Sequence, residues 1–372
     1  MAAPATVAMP PRRPVAAPPV PSAPRLAGDP SIERVAVFRA LMLGDMLCAV
    51  PALRALRAGL PDAEITLIGL PWMRGLAERL APVDRFIEFP GYPGLPERAC
   101  DVRVLPDFLA QVQDRRFDLA VQLHGSGRIA NPLVASFGAR RIAGFRDEVA
   151  WWPQANGPWF ARWPDEGHEI DRLLTLTTAL GFAPRGRELE FPVHEADRRE
   201  LRALFDGAPP RRYACVHAGS QLPSRRWGIE RFAAVADALA ERGLTVVLTG
   251  GEPERELVDA LARAMRHPAL ALAGRTSLWT LGALVEGAEL VVCNDTGLSH
   301  VASALATPSV VVSCGADVAR WAPLDAALHP VLWQPVECRP CAHAVCPTGH
   351  ACASGVHVDQ VLAAARRLPV AC

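Results

Sequence analysis

From Glu33 onward the chain alternates between two hydrophobic periods. Short apolar runs of strand length, Val35 to Arg39, Ile65 to Ile68, Phe86 to Phe89 and Leu119 to Leu123, are separated by stretches long enough for helices. Strands interleaved with helical segments predict a parallel sheet with helices on both faces, because each parallel connection has to cross back over the sheet. A second series opens at Tyr213-Ala214-Cys215-Val216-His217 and continues through Leu244 to Leu248, Ala269 to Leu272, Leu290 to Cys293 and Ser309 to Val312. The rhythm therefore occurs twice, which predicts two doubly wound α/β domains. Between the series lies Pro184 to Pro210, with one charged helical pattern, Glu195 to Phe205, and a hinge-like ending, Gly207-Ala208-Pro209-Pro210. We expect a first domain over 32–207 and a second over 208–372. The last helical pattern, Asp359 to Leu368, is expected to pack back across the interface.

With 372 residues, the chain is long enough for two cores. Residues 1–31 stand apart: the first thirty hold nine prolines and no uninterrupted apolar stretch, which predicts a disordered tail rather than a secretory segment. No later run reaches the roughly 18 apolar residues of a membrane span, so a soluble, cytoplasmic protein is expected, peripheral at most to the inner membrane. The formal net charge is zero, and no global field recruits nucleic acid. All 39 basic side chains are Arg, so any phosphate ligand has to be held by guanidinium groups or backbone N–H, and a catalytic lysine is excluded.

Two strand-to-helix junctions carry an acid. The run Glu289 to Cys293 reads as a buried strand and leads through Asp295-Thr296-Gly297-Leu298-Ser299-His300 into an apolar helix, Val301 to Leu305. Ligands of open α/β sheets bind at such strand ends. There, glycine permits a tight turn and the N–H groups of Thr296 to Ser299 would present a positive dipole end to phosphate. The first strand likewise runs into Leu43-Gly44-Asp45-Met46-Leu47 and a helical stretch with Pro51 early and Leu53, Leu56 and Leu60 on one face. Either acid could instead be a plain helix cap. After the Tyr213 strand comes His217-Ala218-Gly219-Ser220, then Arg225-Arg226-Trp227, an Arg pair that could hold phosphate or merely be solvated. After the next strand comes Thr249-Gly250-Gly251-Glu252-Pro253-Glu254, and after Leu123 a turn-like His124-Gly125-Ser126-Gly127.

Taken together, these strings resemble the motifs of glycosyltransferase family nine, the heptosyltransferase-like inverting enzymes that use nucleotide-activated sugars such as ADP-heptose. Asp-Thr-Gly-Leu-Ser-His followed by Val-Ala-Ser-Ala-Leu resembles the carboxyl-terminal signature. Leu-Gly-Asp-x-Leu-x-x-x-Pro-Ala-Leu-x-x-Leu, from Leu43 to Leu56, resembles the amino-terminal motif, in which this acid is the general base. The resemblance spans residues 34 to about 368 and implies a GT-B fold, with two Rossmann-like domains facing across a cleft. It implies Asp45 as catalytic base, taking the proton of an acceptor hydroxyl. It implies donor binding by Ser220, Arg225, Arg226 and the stretch Asp295, Thr296, Gly297, Leu298, Ser299 and His300, with the acid of the Gly-Gly-x-x-Glu segment, Glu254, on the nucleoside; Glu252 is a neighbouring competitor. Arg225 occupies a position where the family has Lys, and Gly228 one where it has Pro. Arg keeps the charge but not the geometry. The implied partners are a nucleotide sugar and a saccharide or glycolipid acceptor of lipopolysaccharide type, with no cofactor required. The His124 turn falls to the acceptor side. A GT-B nucleotide-sugar epimerase and a non-catalytic saccharide-binding protein remain the alternatives.

Nine of the ten cysteines fall into two contexts. Cys48, Cys100, Cys215, Cys293 and Cys314 sit on apolar patterns and are expected in the core. Cys338, Cys341, Cys346 and Cys352, with His343, His350 and His357 interspersed, have a spacing that could wrap a structural zinc ion, or could remain free or oxidisable thiols.

Overall fold

Strands whose residues are apolar at successive positions have to be covered on both faces, and the computed structural model, which describes residues 25–205 and 207–369, builds two parallel sheets of this kind. The first half runs β1 (Arg34–Phe38), α1 (Leu43–Leu47), α2 (Val50–Gly59), β2 (Glu64–Gly69), α3 (Arg74–Ala77), β3 (Arg85–Glu88), α4 (Leu105–Asp114), β4 (Leu119–Gln122), α5 (Ala130–Ala135), β5 (Arg141–Arg146), β6 (Phe160–Arg162) and α6 (Glu169–Ala179). The second runs α7 (Glu195–Leu204), β7 (Tyr213–His217), α8 (Ile229–Glu241), β8 (Thr245–Leu248), α9 (Arg255–Ala264), β9 (Ala269–Ala271), α10 (Leu278–Glu286), β10 (Leu290–Asn294), α11 (Gly297–Ala304), β11 (Ser309–Ser313), α12 (Val318–Trp321), β12 (Val331–Trp333), α13 (Ala351–Ser354) and α14 (Val358–Arg367).

The strand orders are β3-β2-β1-β4-β5-β6 and β12-β11-β10-β7-β8-β9. In each, the order reverses between two central strands, β1 and β4 in one and β7 and β10 in the other, and a crevice opens beyond their carboxyl ends. Asp45 follows β1 and Asp295 follows β10, so both acids lie at a switch point. Three strands were not marked by the hydrophobic pattern. β5 is broken by Gly144 and bounded by arginines, while β6 and β12 are three-residue edge strands with little apolar run to read.

Several expectations are corrected. Residues 1–24 of the expected tail lie outside the described residues, but residues 25–31 pack on the first domain. Leu26 is fully buried, its N–H donates to Leu180 O at 3.0 Å, and Gly28 N–H donates to Gly59 O at 2.8 Å. The terminal helix α14 does not cross the interface; its apolar face, Val361, Ala364 and Ala365, packs on α8 and β11 of its own sheet. The helix that does reach across is α7, which lies against α10 and pairs Arg198 with Glu286. Its Asp197 is held by two nitrogens of Arg79 in the first half. Of the cysteines expected in the core, Cys48, Cys215, Cys293 and Cys314 are buried, whereas Cys100 is half-exposed.

Candidate active site

The two acid-bearing turns, some 250 residues apart in sequence, pack directly on each other as α1 against α11. Glycine makes this approach possible on both sides. A Cβ at Gly44 would lie 2.5 Å from His300 Cδ2, and one at Gly297 would lie 3.2 Å from Leu43 Cβ. His300 is buried in this contact, 3.8 Å from Cys48 Sγ. Burial, with the nearby charge of His168, pushes its pKa down to about 4, so it is a neutral packing group. The junction forms one wall of a cavity of about 650 Å³ that is also lined by Asp45, Ser220, Arg225, Asp295, Thr296 and Leu298, and by Asp317 and Arg320, which no motif indicated.

Asp45 sits in an ion network that spans both halves. Arg39, fully buried at the end of β1, donates from Nε to Asp45 O at 2.8 Å and from Nη2 to Glu169 Oε1 at 3.1 Å. The other Glu169 oxygen accepts from Arg320 Nε at 2.8 Å. Arg39 therefore fixes the backbone of Asp45, while its Nη2 lies 4.0 Å from the carboxylate, beyond hydrogen-bond reach. That carboxylate is 26% exposed, facing the cavity. Burial raises its pKa, against the pull of Arg39 and with the push of Glu169. For Glu169 burial also acts upward, but the two arginines outweigh it and hold the acid ionised.

The opposite wall is built on the loop after β7. Asn294, buried at the end of β10, donates to Ala218 O at 2.8 Å and Gly219 O at 3.2 Å and accepts from Trp227 N–H at 2.9 Å, closing both ends of that loop. Arg225 reaches the cavity. Its Nη2 donates to Cys341 O at 2.8 Å, while its Nε is buried without a partner. Arg226 is used differently: Nε and Nη2 both donate to Ser220 O, at 3.1 and 3.0 Å, and it is not among the cavity-lining residues. Glu254 is distinguished from Glu252 by place. Its carboxylate lies where a side chain at Gly219 would project and beside His217, whereas Glu252 pairs with Arg255 over Gly274. Neither acid lines the cavity itself.

Asp295 accepts from Ser313 Oγ at 3.1 Å. Burial raises its pKa against that bond and against Arg225 and Arg339. In the turn that follows, Ser299 N–H and Oγ both donate to Thr296 O, at 3.0 and 2.7 Å, so Ser299 does not offer its N–H to a ligand as the pattern suggested. The cysteine-rich segment braces this wall. Ser224 N–H donates to Ala344 O at 3.1 Å, Ser224 Oγ bonds His343 O, and His350 Nε2 lies 2.7 Å from Ser224 O. Among the described residues no three His, Cys, Asp or Glu side chains gather in a geometry that could hold a metal ion, and Cys341 is buried against Gly315.

A family model described as glycosyltransferase family 9 (heptosyltransferase) matches residues 107–352. The chain belongs to this family. It is similar to lipopolysaccharide heptosyltransferase 3 of Escherichia coli K12, 25% identical over 293 residues that cover 75% of this chain and 82% of the relative. Two solved structures share the fold: a family 9 glycosyl transferase from Veillonella parvula (TM-score 0.77, 21% identity, 90% and 96% of the two chains) and the E. coli ADP-heptose lps heptosyltransferase II (TM-score 0.72, 20% identity, 90% and 97%). The two facing sheets are thus the GT-B arrangement of a glycosyltransferase.

In this family 9 glycosyltransferase the matched residues include the Arg225 loop and the Asp295 turn but begin after Asp45. Arg39, Glu169, Arg320 and Asn294 were missed from the sequence. Arg39 alone left a signal, an arginine closing an apolar strand two residues before the Leu41-to-Asp45 turn. Asn294 directly precedes Asp295 at the end of β10, while Glu169 and Arg320 reach the site only through tertiary packing.

Proposed function

We propose that this glycosyltransferase moves heptose from ADP-heptose to a lipopolysaccharide-type saccharide with inversion, at the cytoplasmic face of the inner membrane. The observation that carries the reading is that Asp45 and Asp295 share one cavity with Arg225. The donor and acceptor class follow the lipopolysaccharide heptosyltransferase and the ADP-heptose heptosyltransferase of E. coli that this chain resembles. No helix among the described residues is long and apolar enough to cross a membrane, so the acceptor's lipid would stay in the bilayer while its saccharide enters the cleft.

In this mechanism the Asp45 carboxylate takes the proton of an acceptor hydroxyl as its oxygen bonds to the anomeric carbon. The bond from that carbon to the diphosphate breaks on the opposite side, leaving its electron pair on the departing ADP. Arg225, which lines the cavity, and the start of α11 meet the charge that develops there. Asp295, oriented by Ser313, accepts from donor-sugar hydroxyls, and Glu254 accepts from the ribose diol. Burial of Asp45 suits a base, because it raises the affinity of the carboxylate for the proton it receives.

The test is incubation with ADP-heptose and a delipidated lipopolysaccharide core saccharide, following ADP release and the mass of the saccharide together. Equimolar ADP and heptosylated saccharide are expected. Conversion of the donor sugar without ADP release would mark an epimerase, and ADP binding without turnover a non-catalytic protein.

A further inference from the structure

A second, half-buried acid, Glu97, stands within electrostatic reach of Asp45 in the loop between β3 and α4. Glu97 Oε1 lies 3.8 Å from Nε2 of His124, and Glu97 Oε2 is shut away from solvent with no hydrogen-bond partner. A buried acceptor in that state normally costs free energy and calls for a reason. The contact with His124 does not supply one. His124 Nδ1 accepts the N–H of Ala40 at 3.2 Å, so the neutral ring carries its proton on Nε2. Burial and the charge of Arg39 push this ring down to about 3, so no ion pair forms, and 3.8 Å is too long for a hydrogen bond.

What remains is a donor, His124 N–H, and an acceptor, Glu97, facing each other without contact; the main-chain N–H of Glu97 bonds its own carboxylate, and Oε2 takes no hydrogen bond. Neither residue lines the Asp45 cavity itself, but the chain around the pair ties it to that site. Ala40 follows Arg39, which fixes the Asp45 backbone. Gly94 of the Glu97 loop packs on Ile129 beyond the His124 turn, and that turn is shaped by Gly125 and Gly127, at φ of 63° and 86°. The electrostatic field of Asp45 reaches Glu97, and the Glu97 side chain keeps 16% of its surface open. A sugar hydroxyl both donates and accepts, which is what this pair lacks.

We propose that Glu97 and His124 form a hydroxyl-binding subsite for the acceptor saccharide. There, a hydroxyl neighbouring the attacking one donates to Glu97 and accepts from His124 Nε2–H, so the acceptor is oriented toward Asp45. The proposal rests on the glycosyltransferase reading above, with Asp45 on the acceptor side. Glu97 is a specificity-determining residue here: a site built to hydrogen-bond a hydroxyl rejects the analogue lacking it, because its polar groups are left unpaired.

The experiment compares wild type with Glu97→Gln and with Glu97→Asp, which keeps the charge but draws it back. It uses ADP-heptose, a delipidated lipopolysaccharide core saccharide, and that saccharide with the neighbouring hydroxyl replaced by hydrogen. For Glu97→Gln, KM for the saccharide should rise at least about tenfold, while ADP affinity and slow hydrolysis of ADP-heptose by water stay within about twofold of wild type. Glu97→Asp should show the same acceptor-only defect to a smaller extent. The deoxy saccharide should serve all three proteins equally poorly. An unchanged saccharide KM in both variants overturns the subsite, as does a parallel fall in ADP affinity and hydrolysis in both. A wild type that heptosylates no saccharide overturns the functional reading, and the subsite with it.

Discussion

The two turns that meet in the cleft are alike in plan and differ in how their acids are held. Each places an aspartate at the switch point of a parallel sheet, next to a glycine that lets the other turn approach, and each acid has its pKa raised by burial. Asp295 is tied down by Ser313 Oγ at 3.1 Å. At Asp45, by contrast, the buried arginine grips the backbone carbonyl and hands its remaining charge to Glu169, leaving the carboxylate 4.0 Å away. The difference suits the two jobs proposed for these acids. An acid that has to receive a proton is best positioned through its main chain, whereas an acid that only orients hydroxyls can have its side chain anchored.

The largest expected effect would break that comparison at its catalytic end. Asp45→Asn should lower turnover roughly 10²- to 10⁴-fold with ADP affinity nearly unchanged, because a base contributes about that much; measuring both on one preparation decides it, and more than about a tenth of wild-type activity would remove Asp45 from the role. The wild-type pH profile sharpens the point. The base works only when ionised, so turnover should fall as the pH drops through the folded pKa, which burial places above the ordinary 3.8. The acid limb should therefore lie above that value.

Glu169→Gln tests the holder rather than the base. It leaves buried Arg39 with the Asp45 carboxylate, 4.0 Å away, as its remaining counter-charge and should destabilise the fold by about 3 kcal/mol, read by denaturant melts. The Glu169 pKa is lowered on folding, so its stabilisation is present above the ordinary 4.5 and is lost as the pH falls through the lower folded value; the wild-type and variant melts should converge there. Arg225→Ala should weaken ADP binding by about 1.5–3 kcal/mol and leave adenosine binding nearly intact, since charge-assisted bonds to the diphosphate are what it removes. Calorimetry with the two ligands separates them, and equal losses would instead indicate a fold defect. Asp295→Asn gives the smallest change. It should melt within a few degrees of wild type and bind ADP normally, yet lose transfer by roughly tenfold, as expected when a carboxylate hydrogen-bonding sugar hydroxyls becomes an amide. Parallel loss of melting temperature and activity would make Asp295 structural.

What could be read from the sequence was whatever is local. The strand-turn-helix strings at Asp45 and Asp295 carry their geometry within a dozen residues, and the alternation of periods was sufficient for two parallel sheets. Arg39, Glu169 and Arg320 form one network from three distant segments, so no window along the chain contains it. Arg226 shows the converse limit. It sits beside Arg225 in sequence, but backbone direction turns its guanidinium onto Ser220 O and away from the cavity. The terminal helix was expected across the cleft, and its apolar stripe fits α8 and β11 instead, a choice set by shape rather than periodicity.

The segment from Cys338 to Cys352 braces the Arg225 loop almost wholly through main-chain atoms, with the carbonyls of Cys341, His343 and Ala344 as acceptors. A support of this kind is indifferent to most of its own side chains, so substitutions can accumulate along it while the path of the backbone, and the aim of Arg225, stay fixed. For an experimenter this makes Cys338 a convenient handle. It is exposed, lies within a few residues of the brace, and donates to none of these contacts, so a fluorophore attached there would report on the donor loop without holding it.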